Sequence, residues 1–335
     1  MYASAELIGT EHYVYFTIGI LALLAIDLGL INRKEHPLEF RRSLGWTSFW
    51  IALAFVFAFF GIPEPLNPKP GDEDLRISFI TGYILEYSLS MDNVFVIALI
   101  FTYFKVPNSH QHRVLFWGII GALVLRGIMI SLGSVVVKEF DWVLYIFGAF
   151  LAFTGFKMLF MQEEGVDPEK NPLVRLARKF LPISLKYDGE KFRTIENGVT
   201  KWTPLIVVLI AVETADVIFA VDSIPAIYSV TQEPYIIFTS NICAILGLRS
   251  LYFVLIASIQ YFRYLKIGMS VVLILIGLKM LLLPSLLQLL GWHPPNYKKL
   301  EGIYSLVAIA GILLLSMIFS VVMTRKKPKT LFEDT

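Results

Sequence analysis

The sequence predicts an all-α, polytopic membrane protein of about nine transmembrane helices, six of them arranged as two inverted three-helix repeats. Three observations carry that expectation. The 335-residue chain is 56% hydrophobic and only 17% charged, where a soluble domain has about 25% charged residues. Its apolar residues gather in stretches close to the ~20 residues that a bilayer-crossing helix needs. A set of sequence marks in the third to fifth stretches returns, in order, in the sixth to eighth.

The nine predicted spans cover residues 13–31, 44–62, 77–103, 114–137, 142–161, 204–230, 235–259, 264–287 and 302–323. The first is read as a retained helix, because no basic segment, short apolar core and cleavage site mark it as a signal peptide. The second is uncharged from Trp46 to Ile62. The third and sixth are apolar but interrupted by acids. Lys and Arg placement sets the orientation. With the N-terminus outside, the inner segments 32–43, 104–113, 162–203, 260–266 and the tail hold 20 of the 29 basic residues, and the outer segments hold five. The expected topology is N-terminus out and C-terminus in, with Lys298 and Lys299 as the local exception. Segment 63–76, rich in proline and acid, is expected to be an outer loop. The long segment 162–203 mixes eight basic and seven acidic residues. Its 173–181 portion reads either as a short helix on the membrane surface or as a solvated linker.

The repeat is carried by three marks. Glu86-Tyr-Ser-Leu-Ser-Met-Asp92-Asn93 in the third span matches Asp216-Val-Ile-Phe-Ala-Val-Asp222-Ser223 in the sixth. Leu125-Arg126-Gly127 matches Leu248-Arg249-Ser250. Gly155-Phe156-Lys157-Met158-Leu159 matches Gly277-Leu278-Lys279-Met280-Leu281. Each mark returns roughly 125 residues on, which is the signature of an internal duplication. A unit of three spans is odd, so the second copy must lie upside down relative to the first. Such inverted repeats are a common transporter architecture, with the site at their interface. The expected division is 1–76 for the first two, peripheral spans, 77–161 for the first repeat, 162–203 for an inner loop, 204–287 for the second repeat, and 288–335 for the ninth span and tail.

Glu86, Asp92, Glu213, Asp216 and Asp222 fall at membrane depth in this reading. Each such residue costs roughly 2.5–3.5 kcal/mol on insertion scales, so an intramembrane acid is a functional candidate. Arg126, Arg249, Lys157 and Lys279 are the candidate charge partners. The bland alternative is that all five acids are packing salt bridges. The mixed reading makes some acids ligands and pairs others with arginine. On an unbroken helix, residues six apart are turned by about 240° and separated by about 9 Å. Glu86 and Asp92 therefore converge on one ion only if the helix is unwound, or else they serve different partners. Pro225 removes the hydrogen bond to the Val221 carbonyl, so it either frees that oxygen as a ligand beside Asp222 or simply kinks the helix. Asn93 and Ser223 are further oxygen donors. Carboxylates, carbonyls and hydroxyls without Cys or His form a hard-oxygen site, suited to Mg, Ca or Mn. Met91 and Met158 read as packing. Asp27, beside Arg33 and Lys34, reads as an interfacial residue that snorkels. Five acids against four buried bases leave one net negative charge, which a divalent ion would reverse. Proton release on metal binding is the expected consequence.

Other classes are excluded. No HExxH motif is present, and the five histidines do not fall within the spans. Cys243 is the one cysteine, so neither a disulfide nor a CxxC pair can form within this chain. No basic run interleaved with aromatics suggests nucleic acid. No enzymatic motif appears, and nothing sets an oligomeric state.

At these residues the chain resembles the TerC family of membrane proteins. The resemblance runs through Thr81-Gly82-Tyr83-Ile84-Leu85-Glu86, Met91-Asp92-Asn93-Val94-Phe95-Val96, Leu125-Arg126-Gly127-Ile128-Met129-Ile130, Asp141-Trp142-Val143-Leu144-Tyr145-Ile146-Phe147-Gly148-Ala149-Phe150, Asp216 to Ile227, and Thr239 to Arg249. It covers nearly the whole chain. It implies a bacterial inner-membrane exporter of manganese(II), with Mn2+ as transported substrate rather than cofactor, on paired three-helix repeats. Carried over, the family's acidic positions fall on Glu86, Asp92, Glu213, Asp216 and Asp222. Electron-moving relatives in the wider group use two membrane cysteines, a role that Cys243 alone cannot fill. The competing readings are a transporter of another divalent cation, such as calcium, and a non-transporting assembly or scaffold protein.

Overall fold

The computed structural model describes residues 8–26, 40–63, 73–160, 171–196, 198–258, 264–290 and 297–325. Eleven helices and one hairpin follow in chain order: α1 (Thr10–Ile26), α2 (Phe40–Phe60), α3 (Leu75–Tyr103), α4 (Asn108–Glu139), α5 (Val143–Phe160), α6 (Pro172–Phe180), the strands β1 (Arg193–Glu196) and β2 (Val199–Trp202), α7 (Pro204–Tyr228), α8 (Pro234–Leu246), α9 (Leu248–Ser258), α10 (Leu265–Leu290) and α11 (Tyr297–Arg325). The molecule is an all-α polytopic membrane protein. In lipid every backbone polar group must be satisfied within its own segment, which leaves the helix as the spanning unit here.

Among the described residues seven helices are long and apolar enough to cross a bilayer: α2, α3, α4, α5, α7, α10 and α11. A bent pair, α8 with α9, which meet at 48°, is together long and apolar enough to form either a broken eighth span or a re-entrant loop. Nine spans were expected. The described part of the first, α1, is 17 residues long, and its continuation at 27–31 lies outside the described residues, as does Asp27. The α8–α9 break also differs from expectation, which placed a single span over 235–259. The chain turns at Gly247, where Trp50 and Tyr87 lie against the backbone. A helix can break at membrane depth only where protein covers the freed groups, and α8 is buried along almost its full length.

Local chemistry sets the helix ends. Asp74 caps α3 by accepting a hydrogen bond from the Ile77 amide at 3.2 Å. α3 stops at Phe104, before Lys105 turns into positive φ. Pro204 and Pro234 open α7 and α8, where a missing N–H costs nothing. Pro225 lies inside α7, which continues to Tyr228. It does not unwind the helix at the Val221–Asp222 step.

Among the seven unbroken spans α3 is the most enclosed, with 44% of its apolar stretch buried, against 17% for α11. α3 packs on α7, α8 and α9, and α4 packs on α7 and α8. The most extensive helix pairing joins α5 to α10. Their axes approach closely because glycines stand at the contact, Gly148 facing Gly277 and Gly155 facing Ser270 and Ile274. A Cβ on Gly277 would lie 2.5 Å from the Ala152 nitrogen, and one on Gly155 would lie 2.8 Å from the Ser270 carbonyl. Without a hydrophobic driving force between helices in lipid, small residues allow the close van der Waals contact that holds a pair together. Both glycines belong to the duplicated Gly-x-Lys-Met-Leu marks.

Candidate functional site

Arg126 stands on α4 with none of its side chain exposed. A buried guanidinium must have its donors satisfied and its charge balanced, and four helices converge to do this. Its Nη1 donates to Glu86 Oε1 on α3, and also to Asn241 Oδ1 on α8 at 3.0 Å and Ser223 Oγ on α7 at 3.4 Å. Its Nη2 donates to Asp216 Oδ1 on α7 at 3.0 Å, and its Nε donates to Asp216 Oδ2 at 3.3 Å. The Asp216 contact is a two-bond fork, the geometry in which Arg binds carboxylate best. Asn241 closes the ring by donating from Nδ2 to Glu86 Oε2 at 3.0 Å. Glu86 is 1% exposed and Asp216 13%. If all three ionisable groups are charged, the cluster carries one net negative charge.

The two clamped acids are the ones that head the duplicated acid motifs, one from each. Sequence reasoning named Arg126 as a charge partner but did not specify that a single arginine would hold both. It also missed Asn241, which lies within the Thr239–Arg249 segment without having been assigned a role. An Asn in so apolar a run is the signal that could have found it.

The other predicted acids lie on the same two central helices but outside the clamp. Glu213, one turn before Asp216 on α7, is half-buried. Its Oε2 is buried without a hydrogen-bond partner among the described residues. It occupies space left by Gly121 on α4, where a methyl group would overlap the carboxylate. Asp222 is half-buried, accepts a hydrogen bond from Thr154 on α5 and lies in the field of Lys157. Asp92 is half-buried on the unbroken α3, nearly two turns beyond Glu86. α3 is not unwound between the two acids, so the condition under which they would converge on one ion is not met. Asn93 is buried at 4%, whereas Val221 is 46% exposed.

The two lysines of the duplicated marks have different surroundings. Lys157 stands near Asp222. Lys279 is instead paired with Glu301 on α11 at 2.7 Å, with Ser305 Oγ at 3.0 Å. It was expected to serve the buried acids, but α11 supplies its counter-ion. Arg249 is 8% exposed at the start of α9, close enough to His112 on α4 for their charges to interact. Among the described residues no three His, Cys, Asp or Glu side chains gather into one metal-holding group. The five acids form a clamped pair with separate acids along α3 and α7, not a single cage.

The same architecture has close relatives. The chain is 44% identical to an uncharacterized membrane protein of Myxococcus xanthus over 313 residues, covering 93% of this chain and 92% of the relative. It is 45% identical over 270 residues to an Escherichia coli K12 protein provisionally named a membrane-bound redox modulator, Alx, covering 80% of this chain and 84% of that one. A Salmonella typhi protein of the same name is 40% identical over 319 residues, 94% of this chain and 95% of the relative. No solved structure matches. The sequence profile of the TerC integral membrane protein family matches residues 72–328, from just before α3 to the end of α11. On that match and on these identities, the chain belongs to the TerC family of integral membrane proteins.

Proposed function

We propose that this protein exports manganese(II) across the bacterial inner membrane through the acids of α3 and α7, in exchange for protons. The observation that carries the reading is the surplus of intramembrane carboxylate around a single buried guanidinium. Arg126 balances one of the two acids it binds, and Glu213 adds a further acid one turn away with a buried oxygen unpartnered among the described residues. Such a surplus attracts cations. All the donors nearby are oxygens, which suits a hard divalent ion.

A cage of three or more acids is not required. Small hard cations keep several waters and use one or two carboxylates. Glu213 and Asp216 are three residues apart on α7, so they face the same way. A transported ion must also leave its site, so weak, partly hydrated binding is appropriate. Cation arrival at a site that holds protons would displace them, which supplies the antiport. A thiol-exchange reading is unsupported within this chain, because its one cysteine, Cys243, is buried in α8.

The test is manganese efflux from metal-loaded cells at matched protein levels. Asp92→Asn, Asp222→Asn and Glu213→Gln keep side-chain size and remove charge. Loss of efflux in these variants is expected. Wild-type efflux in all three would overturn the reading.

A further inference from the structure

The α6–hairpin segment between the two halves of the molecule has a surface that the transport reading does not use. α6 is nine residues long and is capped by Asn171, whose Oδ1 accepts from the amides of Leu173 and Val174. Its side chains divide around the axis at 100° per residue. Val174 and Ala177 are buried where α6 packs against α7. Val174 lies in the same core as Leu205 and Val208 of the first turns of α7. On the adjoining arc stand Leu173, Leu176 and Phe180, which are 49%, 52% and 70% exposed. The arc opposite carries Arg175, Arg178 and Lys179, all exposed, and α6 contains no acid.

A helix that continues its apolar face beyond its protein contact, with cations on the other side, has the division of an interfacial membrane helix. The hairpin segment beside it also exposes apolar side chains: Leu185, Ile195 and Val199 are 94%, 76% and 55% exposed. Its charge is mixed, with Lys191 paired to Asp188 at 3.6 Å and Lys201 to Glu196 at 3.0 Å, so the cationic face belongs to α6. The place in the fold agrees, because α7 begins two residues after β2 and is itself a spanning helix. The module is also fixed to the bundle. Tyr187 donates to the Phe104 carbonyl at 2.8 Å, and Arg113 lies 5.0 Å from the centre of the Phe192 ring.

We propose that α6 and the hairpin form a docking surface for anionic phospholipid. Leu173, Leu176 and Phe180 enter the acyl boundary, and the basic arc contacts negatively charged headgroups. The occupant is the leaflet adjoining this segment rather than a soluble partner. The apolar arc joins a helix already seated on a spanning segment, and the charge of the flanking arc is complementary to acidic headgroups.

The full-length protein, with Cys243→Ala as background, can be reconstituted in vesicles carrying a nitroxide at Leu176→Cys, Phe180→Cys or Lys179→Cys. Collision with oxygen reports lipid, and collision with a water-soluble nickel chelate reports solvent. The labels at 176 and 180 are expected to favour oxygen and the label at 179 to favour the chelate. Vesicles of phosphatidylcholine alone are then compared with vesicles that also contain phosphatidylglycerol. The acidic lipid is expected to shift 176 and 180 further toward oxygen, and Arg175→Gln with Lys179→Gln to abolish that shift. Chelate preference at 176 and 180 would overturn the docking surface. Equal depth in both lipids would overturn its selectivity for anionic headgroups. Full protection of 176 and 180 from both collision partners would show a protein occupant and overturn the proposal as well.

Discussion

At the scale of single residues, Arg126 holds the two central helices in register, since its fork binds Glu86 of α3 and Asp216 of α7 together. Removing one partner of a buried ion pair strands the other, at a cost of roughly 3–5 kcal/mol. Arg126→Leu is therefore expected to lower membrane protein level and abolish efflux together, as read by immunoblot and metal content. Arg126→Lys keeps the charge but replaces a planar fork with a point donor. It should restore abundance better than efflux. A wild-type phenotype in both variants would show that the clamp is dispensable. Lys279 gives the contrast. It and Glu301 are 23% and 27% exposed, so losing Glu301 leaves a long flexible cation at the edge of the bundle rather than one sealed in its core. Glu301→Gln should leave abundance within the error of wild type. The acids themselves were legible in the sequence, because charge at membrane depth is conspicuous against an apolar run. Their pairing was not, because partner choice depends on how the helices are rotated about their own axes. A lysine in a repeated mark looks equivalent in both copies. Lys157 lies near Asp222 while Lys279 is held by α11, a helix that lies outside the repeat.

At the scale of elements, the α5–α10 pair accounts for the glycines of the repeated marks. Gly148 and Ala152 of α5 meet Gly277 of α10, and Gly155 of α5 meets Ser270 and Ile274 of α10. Gly277→Ala and Gly155→Ala would each drive a methyl into backbone atoms, which cannot yield as a side-chain end can. Overpacking of this kind costs about 1–3 kcal/mol. Both variants are expected to melt earlier than wild type in detergent, in a thermal-unfolding assay followed by loss of monodisperse protein. Gly19→Ala and Gly45→Ala serve as controls, because nothing stands within 4 Å of either added methyl. Equal melting of all four would remove the packing account. The lengths of α3, α4 and α7 were readable because each is a long apolar run with a cap or proline at its edge. The α8–α9 break was not, because Gly247 in an apolar run is compatible with a straight helix. The bend is stabilised by burial against α2 and α3, which no local signal encodes. Pro225 is the converse case. Its local chemistry argued for a break, yet α7 carries it within its last turn, where few downstream hydrogen bonds remain to be lost.

At the scale of the whole molecule, the question is which way the two halves face. The span count at the N-terminus depends on α1, whose described length of 17 residues is short for a crossing. The relation between the halves does not depend on it. Between the 63–74 segment and the 161–203 segment lie only α3, α4 and α5, each long and apolar enough to span. If each of the three crosses, the chain on either side of them lies on opposite faces of the membrane. α3 then starts from one face and α7 from the other, so the acids Glu86 and Asp216 approach Arg126 from helices of opposed direction. From the distribution of Lys and Arg we propose that the basic-rich segment containing the hairpin faces the cytoplasm. The prediction is read by cysteine labelling in a Cys243→Ala background, using a thiol reagent that does not cross membranes. Lys186→Cys, at an exposed position, should resist the reagent in intact cells and react in inverted vesicles. A cysteine within 63–74 should show the reverse. Reaction of both positions from the same face would mean an even number of crossings between them. It would remove the opposed arrangement of α3 and α7, and with it the inverted relation of the two halves that the sequence repeat leads one to expect.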